Sequence, residues 1–155
     1  MRLDRAWIAA HIPHQGRMCL LDEVVEWTVD RICCRSETHR RADNALCAHD
    51  RLGIACGIEY AAQAMAVHGA LRAANVPQQS RPGVLASVRG LTMNAERLDD
   101  IAGALTASAT LVSGDATMVL YEFRLADSTR VLLSGRATIA FAATAGEQPA
   151  MRGFS

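Results

Sequence analysis

Glu59 stands near the start of the stretch Gly53-Ile54-Ala55-Cys56-Gly57-Ile58-Glu59-Tyr60-Ala61-Ala62-Gln63-Ala64-Met65-Ala66, which is otherwise small or apolar on nearly every face. An ionised carboxylate is almost never fully buried without a partner, so Glu59 either reaches a cavity or binds something. A helix start also offers unpaired backbone N–H groups and a positive dipole end, which suit a carboxylate or a polarised carbonyl oxygen. That combination marks a candidate site. Gln63 lies one turn beyond Glu59 and is placed to hydrogen-bond and orient it, or to touch a substrate. The alternative for Glu59 is a carboxylate neutralised by its own helix dipole and a nearby Arg. Metal chemistry has little support: Cys47-Ala48-His49 is not a usual knuckle spacing, and Cys33 and Cys34 point to opposite faces of a strand. No metal and no cofactor is expected.

These residues sit in a chain of 155 residues, the length of one domain with a sizeable core. Basic and acidic side chains number 16 each, so no global field points to nucleic acid or to a membrane surface. The one basic run, His39-Arg40-Arg41, is too short for a nucleic-acid patch. The apolar run from Gly53 to Leu71 contains Glu59, Gln63 and His68 and suits a packed core better than lipid. Five cysteines (19, 33, 34, 47 and 56) form an odd count without framework spacing. With no apolar leader after Met1, they read as free thiols in a reducing cytoplasm.

The elements that must position Glu59 follow from periodicity. Trp7 to Ile12 is a short helix that Pro13 ends. Leu20 to Glu37 reads as one long strand, with Val25, Trp27 and Val29 alternating with polar residues and a bulge or sharp twist near Ile32 and Cys34. Residues 38–53 are a polar loop leading to a helix at 55–74, stopped by Asn75 and Pro77. Strands are predicted at 84–95, 104–112, 117–125 and 130–141, with turns at Ser113-Gly114-Asp115 and Ala126-Asp127-Ser128-Thr129. One strand, a long apolar helix and an antiparallel meander make an α+β fold. A helix apolar nearly all round must be covered on most sides, so the sheet wraps it in the hotdog arrangement. The domain is read as 1–142, with 143–155 a flexible tail. The exposed sheet edge is expected to pair with a second subunit.

Two segments carry a family resemblance. Ile12-Pro13-His14-Gln15-Gly16-Arg17-Met18-Cys19-Leu20-Leu21-Asp22-Glu23-Val24 resembles the "PHRxPFLLVDRV" segment of FabZ-type 3-hydroxyacyl-[acyl-carrier-protein] dehydratases. Gly53 to Gln63 resembles their "PGVLIIEAMAQ" helix start, and the string "GIEYAAQAMAVHGAL" is most similar to the ApeP-type dehydratase-like proteins of aryl-polyene clusters. The resemblance runs from about Ile8 to Phe141. It implies a cytoplasmic hotdog dimer that eliminates water from a 3-hydroxyacyl thioester on acyl carrier protein, giving the trans-2-enoyl thioester. In that family a loop His and the helix Glu of the other subunit share the acid–base work, while backbone amides at the helix start hold the carbonyl. Glu59 and the Gly57 and Ile58 amides match those positions.

One element departs. The family's catalytic His falls on Ala45, within Asp43-Asn44-Ala45-Leu46-Cys47, and Gly53 replaces the loop proline. The candidates to replace the His are His14, which lies in the first motif, and His49, in the right loop but four positions late. Asn44 is a candidate polarising amide beside the missing His, and Asp22 reads as a cap or turn residue. His11, His39 and His68 read as structural or exposed. Without a substitute His the isolated chain is expected to be slow, and faster with a hotdog partner carrying an intact His loop. Three readings stay open: a dehydratase, a non-catalytic accessory subunit of a hotdog heterodimer, and a hotdog acyl thioesterase.

Overall fold

The cleanest alternation in the sequence becomes the clearest strand. Leu105, Ala107 and Ala109 of β4 (Leu105–Gly114) are buried at 1% exposure or less, while Thr106 and Ser108 face the other side. A computed structural model of the chain describes residues 2–75 and 83–141. Six antiparallel strands form one sheet in the order β1-β2-β4-β5-β6-β3. They are β1 (Glu23–Trp27), β2 (Arg31–Ser36), β3 (Gly83–Met93), β4, β5 (Met118–Ala126) and β6 (Val131–Phe141). Helix α2 (Gly57–Asn75) lies against the inner face of β2, β4 and β5, and the short α1 (Arg5–His11) packs beside it. This is the α+β hotdog fold expected from the sequence.

The turns are chemical as expected. Asp115 Oδ1 accepts the N–H groups of Thr117 and Met118, and Asp127 Oδ1 accepts those of Thr129 and Arg130. Short acidic side chains thus replace main-chain partners where β4 turns into β5 and β5 into β6.

One expected element divides. Residues 22–37 are a hairpin, β1 and β2, and not a single long strand. Thr28 and Arg31 exchange main-chain hydrogen bonds around Val29-Asp30, and the Thr28 hydroxyl accepts the Asp30 N–H. The slip of apolar phase at Ile32 marks a reversal of direction: Ile32 and Cys34 return to the core, while Val29, at 62% exposure, occupies the turn. The bulge itself lies in β1, between Val24 and Glu26.

Helix α2 is preceded without a break by a 3₁₀ turn at Ile54–Cys56. Tyr60, Ala61, Gln63, Ala64, Val67 and His68 have no exposed surface, so the helix is buried on most sides. A strip of Ile58, Glu59, Ala62, Ala66, Gly69, Ala70 and Ala73 remains half-buried. The helix reaches the sheet this closely because Gly57 has no side chain. A Cβ there would lie 2.7 Å from Leu125 Cδ2 and 2.8 Å from Leu133 Cδ2. No helix among the described residues is long and apolar enough to cross a membrane. The expected helix stop at Pro77 and the tail beyond Phe141 lie outside the described residues.

Candidate active site

The first motif is folded by its own polar residues. Asp4 caps α1 by accepting the Trp7 N–H at 3.1 Å. Ile12-Pro13 ends the helix, and Gln15 Nε2 turns back to donate to the Ala9 carbonyl at 2.7 Å. Gly16 then adopts φ +57°, a left-handed conformation that glycine enters without steric cost, and a 3₁₀ turn runs to Met18. His14 is held between these two bends. Arg5 donates to the carbonyls of Cys19 and Leu21 and pairs with Asp22 at 3.1 Å, while the other Asp22 oxygen accepts the Glu37 N–H at 2.7 Å. Asp22 therefore ties α1 to the end of β2, a structural role across 15 to 17 residues and not the cap or turn read for it from sequence.

Helix α2 brings its carboxylate to this segment. His14 Nε2 lies 3.1 Å from Glu59 Oε1, with the side chains 25% and 34% exposed. An ionised carboxylate only accepts, so in the neutral imidazole Nε2 carries the hydrogen and the lone pair sits on Nδ1. Nδ1 is buried and has no hydrogen-bond partner among the described residues. A carboxylate that fixes the tautomer of an imidazole, leaving the other nitrogen bare, is an arrangement suited to proton abstraction.

The other sequence candidates are placed differently. Gln63 does not reach back to Glu59: its Oε1 accepts the Leu20 N–H at 2.8 Å and its Nε2 donates to the Met18 carbonyl at 2.7 Å. Asn44 is buried, donating through Nδ2 to the Thr38 carbonyl at 2.9 Å and the Tyr60 hydroxyl at 3.1 Å, and accepting the Leu46 N–H at 2.8 Å. It shapes the loop around Ala45 from behind. His49 is exposed at φ +52°, on a tight turn with Asp50 closed by reciprocal Ala48–Arg51 hydrogen bonds. The Gly57 N–H is directed at the carbonyls of Ile54 and Ala55. Ile58 is half-buried beside Glu59 on the open strip of α2.

Sequence reasoning missed a buried hydroxyl network behind Glu59. The Tyr60 hydroxyl meets Thr38 Oγ1 at 2.8 Å, and Thr38 and Ser36 both donate to the Leu20 carbonyl. Burial, the largest influence on it, pushes the Tyr60 hydroxyl above its ordinary pKa, keeping it a proton donor. Its signal was present: a Tyr inside a helix of small residues needs a partner for its O–H when buried. Two surface cavities, of about 300 and 460 Å³, lie over the Arg5–Arg41–Asn44 region and the β4–β5 turn, and neither is lined by His14 or Glu59. All five cysteines are free, and no group of three or more potential metal ligands gathers among the described residues.

Two further histidines bear on stability. His68, fully buried, donates from Nε2 to the Thr28 carbonyl at 2.8 Å and accepts the Tyr121 hydroxyl at Nδ1 at 2.7 Å. Burial pushes that hydroxyl up to about 12, so it stays a donor. His39, 1% exposed, donates from Nε2 to the Ile101 carbonyl at 3.0 Å. Desolvation lowers the pKa of both rings from the usual His value. With the folded value depressed, the unfolded chain takes up protons first as pH falls below about 6.5. Stability is therefore expected to be full above that pH and to decline below it, by up to about 1.4 kcal/mol per pH unit for each ring. Urea midpoints between pH 7.5 and 5 check this. A flat profile across that range would contradict it.

A sequence profile described as ApeP-like, ApeP dehydratase, matches residues 6–148. No curated protein sequence matches. Among solved structures, the dehydratase heterocomplex ApeI:P from Xenorhabdus doucetiae superposes with a TM-score of 0.76 at 19% identity, covering 88% of this chain and 91% of that one. Zebra fish thioesterase superfamily member 2 gives 0.62 at 13% identity, covering 89% and 95%. AziG of S. sahachiroi gives 0.53 at 22% identity, covering 77% and 89%. The structural likenesses, all under 25% identical, establish the hotdog fold alone. The profile spans nearly the whole sequence, and on it the chain belongs to the ApeP-like dehydratase family.

Proposed function

We propose that this protein dehydrates 3-hydroxyacyl thioesters carried on acyl carrier protein, giving the trans-2-enoyl thioester, with His14 and Glu59 of one chain as its acid–base pair. The observation that carries the reading is the 3.1 Å contact between His14 Nε2 and Glu59 Oε1. It supplies an imidazole beside the helix carboxylate in a family whose loop His position is Ala45 here. Once substrate opens a path to the buried His14 Nδ1, that nitrogen takes the α-proton, Glu59 steadies the imidazolium that forms, and the same proton is then delivered to the departing hydroxyl. The Ile58 main-chain N–H at the start of α2 is the candidate to polarise the thioester carbonyl, since that of Gly57 is directed at the Ile54 and Ala55 carbonyls.

The working unit is a hotdog dimer. β3 is an edge strand of eleven residues bonded, among the described residues, to β6 alone, with Val84, Leu85 and Met93 exposed. Such an edge is a template for a second sheet, and the half-buried small residues of α2 offer a surface that a partner helix can approach. The free thiols support a cytoplasmic setting for this work on aryl-polyene or fatty-acid chains.

A second reading has its own support. Ala45 at the family's His position, together with the likeness to a dehydratase heterocomplex, favours an accessory subunit that completes a partner's site. Offering the purified chain a 3-hydroxyacyl carrier protein, alone and with a hotdog dehydratase encoded beside it, separates the readings. Enoyl product from the chain alone supports our proposal. Product only in the mixture supports the accessory role, and free acid would identify a thioesterase.

A further inference from the structure

We propose that Gln63 is a positioning residue: by holding the main chain of Met18 and Leu20 it fixes the His14 segment against the helix that carries Glu59. The inference rests on the reading of His14 and Glu59 as a working pair. Gln63 has no exposed surface, and both ends of its amide are committed across two elements, Oε1 to the Leu20 N–H at 2.8 Å and Nε2 to the Met18 carbonyl at 2.7 Å. It lies one helical turn from Glu59, so the clamp and the carboxylate project from neighbouring sites on the same helix.

The segment needs such a clamp. Between the end of α1 and β1, His14 to Leu20 has no strand or α-helical pairing of its own, only the short turn at Gly16–Met18. Its N-terminal side is anchored by Gln15 to α1, whereas its C-terminal side meets α2 through Gln63 and the Leu20 carbonyl network. Gln15 fixes His14 relative to α1 alone. Gln63 fixes it relative to Glu59. Removing the amide leaves a buried N–H without a partner and lets the segment shift, and a displacement of about 1 Å at a reacting group can cost about 100-fold in rate.

Gln63→Met keeps the length and apolar bulk of the side chain and removes both hydrogen bonds. Gln63→Leu likewise removes both hydrogen bonds with a shorter side chain, and serves if the Met variant does not fold. The decisive readout is the NMR signal of the His14 ring, which should move when Glu59→Gln is introduced into otherwise unaltered protein. In the Gln63→Met background that displacement should vanish, and in Gln63→Leu it should vanish likewise, with the far-UV circular dichroism of both unchanged. Where dehydration is measurable, kcat should fall about 10- to 100-fold with KM within about twofold. A full-sized displacement in both backgrounds overturns the role of Gln63 and leaves the pair standing. No displacement in the unaltered protein overturns the pair, and the positioning role with it.

Discussion

Glu59→Gln is expected to lower dehydration of a 3-hydroxyacyl carrier protein by about two to four orders of magnitude, the usual worth of a general acid or base. That range corresponds to about 3 to 5 kcal/mol of barrier. Stability should hardly change. The His14–Glu59 contact is partly open to solvent, at 25% and 34% exposure, and such pairs contribute about 1 kcal/mol or less. The glutamine oxygen still accepts the His14 Nε2–H, so the geometry survives while the charge that stabilises an imidazolium is gone. His14→Ala should lose a similar factor, and the double variant little more than either alone, because the two act as a unit. Steady-state rates for the three variants, with melting curves as the control for folding, check this. Additive losses would show that the residues act separately.

Gly57→Val should destabilise the protein by about 1–3 kcal/mol, because its side chain must enter space already filled. The position of its Cβ is 2.7 and 2.8 Å from methyl groups of Leu125 and Leu133, both fully buried and unable to swing into solvent. Alanine is a weaker probe. It gains up to about 1 kcal/mol of helix propensity over glycine, which offsets much of the clash. Valine adds two methyl groups and a stiff χ1, so the steric cost dominates. The melting temperature should drop by roughly 2–4 °C for each kcal/mol lost in a chain of this size. An unchanged melting temperature would mean that the helix start does not sit this close to the sheet. Since Gly57 precedes Glu59 by half a turn, a shift here should also disturb the contact to His14.

The features that were legible in the sequence are those set by local chemistry. Alternation marked β4, the aspartate turns marked both ends of β5, and the small apolar run marked α2. The hairpin at Val29-Asp30 was not legible, because its turn has neither glycine nor asparagine and relies on the Thr28 hydroxyl instead. Its reversal preserved enough alternation to resemble one strand. The site shows the same division. Glu59 was visible as a charge in an apolar helix, but which histidine approaches it depends on how residues 12–20 fold back, which no spacing reveals. The contacts of Gln63 are long-range main-chain hydrogen bonds spanning 43 to 45 residues, and Asn44 meets the hydroxyl of Tyr60, 16 residues on; periodicity carries no information about either.

The most direct test is the dehydration rate of the purified chain alone, compared with its His14→Ala and His49→Ala variants. The account predicts turnover by the unaltered chain, a loss of about 100-fold or more in His14→Ala, and an unchanged rate in His49→Ala, whose ring is exposed on a turn. Turnover that survives His14→Ala, or that appears only when a partner with its own loop His is added, would contradict it.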